Sequence, residues 1–200
     1  MTDSFRPTVI RGKAWDALRG KWGQAAVSCL LIYVAYLIVC GLSIQVPLLG
    51  FLVILFAASV VFIGFSFIFW DVYKGANVEI KTVIEPVQDY VRYLIGFLLM
   101  CLYTFLWSLL LYIPGIIKAI SYSMTFYIMR ENPGMSGEQA IQRSMAMMKG
   151  HKMELFLLSL SFLGWILLGI ITLGIGLLWV YPYMYTAQAA FYEELKKDYE

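Results

Sequence analysis

The sequence predicts an all-α membrane protein with six transmembrane helices arranged as three helical hairpins, and with short cytoplasmic amphipathic helices before the hairpins. Two observations carry this. Hydrophobic residues make up 61% of the 200 residues and charged residues 14%, against roughly 45–50% and 25% in soluble domains. Three long runs, residues 23–70, 93–117 and 155–192, contain no Asp, Glu, Lys or Arg. A crossing needs about 20 apolar residues, so the first and third runs each hold two spans and the second holds one. Residues 116–129 supply the sixth.

The lead-in, residues 1–22, contains TVIRGKAWDALRGKW, with Ile10, Ala14, Ala17, Leu18 and Trp22 at helical spacing and Arg11, Lys13, Arg19 and Lys21 over much of the rest. A basic amphipathic helix of this kind serves either as a lipid-surface or partner helix or as an interfacial lead-in that orients the first span. Hairpin 1, residues 24–70, has spans at 24–44 and 51–70 joined through Pro47 and Gly50. Five basic residues stand before it and its turn has no charge, so the positive-inside rule puts the N-terminus in the cytoplasm. A cleaved signal peptide is not expected, because the first apolar run follows some twenty polar and basic residues and continues into a second span.

Residues 71–92 form a cytoplasmic loop by alternation, with Pro86 interrupting any helix. Its acids Glu79, Glu85 and Asp89 read as a solvated charged surface. Hairpin 2, residues 93–130, has a span at 93–113, a Pro114-Gly115 reversal and a more polar return. In that return Gly115, Ala119 and Ser123 form a small-residue seam of the kind that lets membrane helices approach. Lys118, Ser121, Tyr122 and Thr125 form a polar stripe beside it. Lys118 is the one basic residue near the expected outer side, and two readings apply to it. Its stem snorkels to the interface, or it contacts an anion or headgroup.

Residues 131–152 form a cytoplasmic helix, with Ser136 and Gln139 spaced as a capping box. His151, the single histidine, sits between Lys149 and Lys152 and reads as part of a basic interfacial cluster. A lone histidine without ligand spacing makes no metal site. Hairpin 3, residues 153–192, has spans at 155–171 and 175–191, with Pro182 expected to kink the second. Tyr181, Tyr185 and Gln188 are expected to need polar partners inside the protein. Residues 193–200 are a charged cytoplasmic tail.

Cys29, Cys40 and Cys101 have no CxxC spacing and read as small packing residues. Cys29 and Cys40 lie about 16 Å apart along one helix at 1.5 Å per residue, too far for a bridge.

An internal repeat links the two halves. Leu18-Arg19-Gly20-Lys21 matches Met148-Lys149-Gly150-His151 as apolar, basic, glycine, basic, each after a short amphipathic helix and before a hairpin. The middle hairpin reads as a third, more diverged copy.

The runs IPGIIKAISYSMTFYIM from Ile113, NPGMSGEQAIQRSMAMMKGHK from Asn132 and GIGLLWVYPYMYTAQAAFYEEL from Gly174 resemble the bacterial integral-membrane family called domain of unknown function 975. So does the ALRGKWGQA opening, and the resemblance extends over nearly the whole chain. It implies a multi-pass protein of the bacterial cytoplasmic (inner) membrane with both termini in the cytoplasm, and it brings no assigned reaction. A looser similarity exists to the membrane domain that accompanies some glycerophosphodiester phosphodiesterases, without their soluble catalytic domain.

No HExxH, GxSxG or phosphate-loop motif appears, so no enzyme, cofactor or metal is expected. The expected function is association: a scaffold, assembly or lipid-interacting component. Its expected partners are the lipid bilayer and a membrane-protein partner or second copy, with no nucleic acid. The alternative is a transporter or channel for a small solute or lipid, built from repeated hairpins. The candidate functional or lipid-contact residues are Lys118, Ser121, Tyr122, Thr125, His151, Tyr181 and Pro182.

Overall fold

The computed structural model describes residues 3–43, 45–110 and 112–199. Met1, Thr2, Ile44 at the expected end of the first span, Leu111 in the third and Glu200 in the tail lie outside the described residues. All regular structure among the described residues is helical. The order is α1 (Pro7–Leu18), α2 (Trp22–Ser43), α3 (Pro47–Tyr73), a 3-10 segment (Ile80–Asp89), α4 (Tyr90–Leu110), α5 (Tyr112–Tyr122), α6 (Thr125–Glu131), α7 (Gly137–Met147), α8 (Lys152–Ser161), α9 (Leu163–Ile171) and α10 (Leu177–Tyr199).

Four helical stretches are long and apolar enough to cross a membrane: Trp22–Ser43, Leu49–Tyr73, Ile80–Leu109 and Lys152–Ile171. The expected six single-helix spans differ from this in three ways. The return of hairpin 2 breaks after Tyr122 into α5 and α6, and its reversal precedes Tyr112, so Pro114 and Gly115 lie in the first turn of α5. Proline is tolerated there because the first-turn N–H groups have no intrahelical partner. The fifth span is interrupted at Phe162, between α8 and α9. The last helix, α10, has 23 residues, but its Tyr-, Thr- and Gln-containing centre dilutes the apolar content, so it is not among the four.

The chain divides into two compact units. The first comprises Met1–Ile10, Asp89–Ser161 and Ala190–Glu200. Here α5 packs along α4, and α7 packs on α4, α5 and α6. A close backbone approach lies between glycines of α4 and α7: a methyl group at Gly137 would stand 2.7 Å from the Cα of Gly96. The seam expected at Gly115, Ala119 and Ser123 is not continuous, since Gly115 is buried against Ser108 while Ala119 is exposed. The spacing keeps Gly115 and Ala119 on one side of α5, but only Gly115 is covered there, and Ser123 lies beyond the end of the helix.

The second unit comprises Arg11–Gln88 and Phe162–Ala189. There α2 and α3 form hairpin 1, and Gly50 admits the turn, because a methyl group at that position would meet the Ser43 carbonyl oxygen at 1.8 Å. The loop expected to be wholly polar instead enters as the 3-10 segment, whose Val83 backbone presses on Gly64 of α3. Tyr185 of α10 lies against Phe65 and Phe69 of α3, with ring centroids 5.6 and 6.2 Å away.

The two matched glycine motifs share a local backbone conformation. Gly20 and Gly150 both take positive φ, +80° and +99°, which only glycine adopts without strain. The hydrogen bonds around them correspond one to one. Lys21 N–H donates to the Leu18 carbonyl and Ala25 N–H to that of Lys21, as His151 N–H does to Met148 and Leu155 N–H to His151. Both lead-in helices bury the matching face, Ile10, Ala14 and Leu18 in one and Ala140, Ser144 and Met148 in the other. In front of α4 stands the 3-10 segment, with no such glycine turn between them.

In three places a side chain at or just before the start of a helix reaches a distant link or helix end. Lys21, just before α2, donates to the carbonyls of Gly75 and Ala76 beyond α3 at 3.0 and 2.7 Å. Arg92, in the first turn of α4, donates to the carbonyls of Met129, Asn132 and Met135 at 3.0, 3.4 and 3.3 Å and also pairs with Asp89. His151, just before α8, meets Asp198 in the last turn of α10 at 3.1 Å.

Candidate functional site

The break between α5 and α6 organises the polar groups of the first unit. Helical hydrogen bonding stops at Ser123 and Met124, leaving buried backbone groups that must find partners. Ser144 of α7 supplies two of them: its Oγ donates to the Ser121 carbonyl at 2.8 Å and accepts from the Met124 N–H at 3.3 Å. Ser121 and Thr125, both fully buried, donate back to the carbonyls of Ile117 and Tyr122 at 2.7 and 2.6 Å. The expected polar stripe therefore divides: Ser121 and Thr125 secure the helix ends, and Lys118 and Tyr122 face a cavity.

That cavity, about 240 Å³, is lined by Tyr103 and Trp107 of α4, Lys118 and Tyr122 of α5, and Glu138 and Met145 of α7 among others. The Lys118 ammonium lies 4.7 Å from the centroid of the Trp107 ring, within cation–π range, and 4.0 Å from the Met145 sulfur. Its stem thus turns into the packing of α4, α5 and α7. The ring of Tyr122 stands 6.3 Å from that of Tyr103. Nothing in the spacing of Lys118 announces Trp107 or Met145, because both come from other helices.

His151 lies apart from this cavity and differs from the basic cluster expected of it. Its Nδ1 meets Glu154 at 2.6 Å, its Nε2 meets Asp198, and its ring packs on Phe5 with centroids 4.5 Å apart. Glu154 was legible as an i, i+3 neighbour, whereas Asp198 and Phe5 come from the two ends of the chain. With both ring nitrogens facing carboxylates, the ring has no nitrogen left for a metal, and among the described residues no group of three ligating side chains is placed to hold one.

Tyr181 and Pro182 belong to the second unit. Tyr181 is half exposed and lines a cavity of about 560 Å³ with Cys29, Tyr33, Tyr36 and Tyr185. Pro182 is buried inside α10. Tyr181 and Tyr185 share this cavity, as their spacing on one side of α10 expects, and the Tyr185 ring also stacks on Phe65 and Phe69 of α3. The residue the sequence passes over is Tyr183, whose OH donates to the Arg11 carbonyl at 3.2 Å and accepts from Arg11 Nε at 3.4 Å.

These contacts place all seven candidate residues between α5 and α10, the stretch that also holds the three longest resembling runs. Residues 109–199 match the family model described as protein of unknown function (DUF975). This is the family the sequence resembles. The DUF975 match covers α5 to α10 and every candidate residue, while Arg11, Arg92, Tyr103, Trp107 and the ALRGKWGQA opening fall before it. No curated protein and no solved structure matches the chain.

Proposed function

We propose that this is a multi-pass protein of the bacterial cytoplasmic membrane, with both termini in the cytoplasm, that acts by association and not by catalysis. Its role is that of a scaffold, assembly or lipid-interacting component. The observation that carries the reading is the closure of each hairpin. If α4 crosses the bilayer, the chain has returned by Asn132, because Arg92 at the start of α4 holds that turn by hydrogen bonds. Lys21 and His151 support the same reading for hairpins 1 and 3, so three out-and-back crossings leave the lead-in helices and the tail on one side. There α7 buries its apolar face and exposes Glu138, Gln139 and Gln142, and the turn after it exposes Lys149, a polar surface suited to a partner protein or to headgroups.

Association is favoured over catalysis because the polar side chains are engaged in holding the fold: Ser121, Thr125 and Ser144 with backbone groups, His151 with two carboxylates. Extraction in mild detergent followed by crosslinking and native mass spectrometry tests this. A retained partner, second copy or lipid is expected. Recovery of bare monomer with no lipid preference removes the reading.

The duplicated glycine turn favours one second reading, a transporter or channel of repeated hairpins. It expects solute or lipid flux in proteoliposomes that falls in Lys118→Leu, and flux indifferent to that change counts against it.

A further inference from the structure

The geometry points to a binding site for one anionic glycerophospholipid in the second unit, with an acyl chain in a tryptophan-lined groove and the phosphate on Arg11. This rests on the membrane reading above but not on the scaffold role.

The groove, about 500 Å³, is walled by Trp15 of α1, Trp22 of α2, Trp165 of α9, and Trp179 and Tyr183 of α10, with Gly169 and Gly176 among its other lining residues. The chain has six tryptophans, so one groove gathers four of them. Trp15, Trp165 and Trp179 remain 47%, 39% and 45% exposed, so the rings line the space without filling it. The glycines let the end of α9 and the start of α10 approach closely beneath it: a methyl group at Gly169 would meet Leu177 at 2.6 Å and one at Gly176 would meet the Thr172 hydroxyl at 2.8 Å. Nine residues of α9 at 1.5 Å each give about 14 Å of wall, a length that suits an extended hydrocarbon chain better than a compact ligand.

The charge is what selects the lipid. Arg11 has its guanidinium carbon 5.5, 6.0 and 5.8 Å from the ring centroids of Phe162, Trp165 and Tyr183. Two of those rings, Trp165 and Tyr183, also line the groove, so the cation stands beside the apolar space and not at a distance from it. Its Nε is held by the Tyr183 OH, which fixes the fork, and among the described residues no carboxylate pairs with it. A guanidinium whose terminal N–H donors lack an acid matches a phosphate oxyanion in geometry and charge. Basic pockets on the cytoplasmic side of membrane helices are where anionic headgroups bind. An apolar peptide has no need of the cation, and a soluble phosphate has no need of the groove.

The test uses the full chain in phosphatidylcholine vesicles, carrying Trp70→Phe and Trp107→Phe so that only the four groove tryptophans emit. Brominated phosphatidylglycerol or brominated phosphatidylcholine is titrated in, and fluorescence quenching is read. The expected result is an apparent affinity about tenfold higher for the phosphatidylglycerol, as a charge-assisted contact supplies. That preference should be lost in Arg11→Gln, reduced but detectable in Arg11→Lys, which keeps the charge without the fork, and unchanged in Arg19→Gln. Native mass spectrometry of the chain with all six tryptophans should show the same order of lipid retention, which guards against a misfolded reporter. Equal quenching by the two lipids overturns the site while leaving membrane insertion intact. So does a preference that survives Arg11→Gln, and so does a groove shielded from both lipids in a preparation that is dimeric.

Discussion

Ser144 shows how much one hydroxyl decides in an apolar protein. It joins two buried backbone groups that the break after Tyr122 leaves without helical partners, and burying such groups unpaired costs about 1–3 kcal/mol each. Ser144→Ala should therefore lower stability by about 2–4 kcal/mol, near the sum of those two penalties, measured by unfolding of the purified protein in mixed detergent. A loss within about 0.5 kcal/mol, the range of inconsequential substitutions, would mean that the α5–α6 junction is satisfied in another way. His151 makes a parallel case. The side chain of Glu154 is only 9% exposed, and His151→Ala leaves that carboxylate without its nearest partner. The expected loss is about 1–3 kcal/mol, the cost of leaving a buried acceptor without its hydrogen bond, and His151→Ala combined with Glu154→Gln should recover part of it, because the amide is cheaper to bury unpaired.

At the scale of elements, the glycines separate what was legible from what was not. The apolar runs, the capping box of α7 and the turn glycines Gly20 and Gly150 were readable because each is a local pattern: periodicity, an S-x-x-Q spacing, a left-handed position between two basic residues. The packing seam was not, because regular small-residue spacing on α5 says nothing about which helix lies opposite. The structure places the close contact at Gly96 and Gly137, far apart in sequence. Gly137→Ala should force α4 and α7 apart and cost about 1–3 kcal/mol, as overpacking does. Ala119→Leu, at the centre of the expected seam, should be tolerated within about 0.5 kcal/mol, as exposed substitutions usually are. Thermal melts of the two variants side by side decide it, and a reversed order would restore the seam. The candidate site followed the same division: Lys118 stood out as an ionisable residue in an apolar segment, but its aromatic neighbour Trp107 and the partner of Arg11, Tyr183, are products of tertiary structure.

For the whole molecule, the issue is which links share a side of the membrane. In a cysteine-free background, single cysteines at Gly75, Gly134, Gln45 and Leu173, all at links between helices, divide the possibilities. Three closed hairpins expect Gly75 and Gly134 to be labelled by an impermeant reagent from the cytoplasmic side, and Gln45 and Leu173 from the opposite side. If only the four long apolar stretches cross, with α5 and α6 remaining on the far side, Gly134 is labelled together with Gln45. That outcome would sink the arrangement proposed for hairpin 2. The match to DUF975 begins at residue 109, within α4, so it neither includes nor tests hairpin 1. For that hairpin the evidence is the length of α2 and α3 and the Lys21 contacts.

Those contacts also bear on how such a chain is made. A hairpin whose two ends are joined on the side from which it entered is finished once its return strand has emerged, and it needs nothing from the residues still to be synthesised. Lys21 reaches carbonyls about 55 residues downstream, Arg92 about 40 and His151 an acid about 47 away, so the three closed hairpins proposed above would be completed in three instalments of similar length. In the proposed arrangement the basic residues that steer a helix pair into the bilayer also serve as its latch, and a charge reversal at Lys21 or Arg92 would be felt during biogenesis before it was felt in the finished protein.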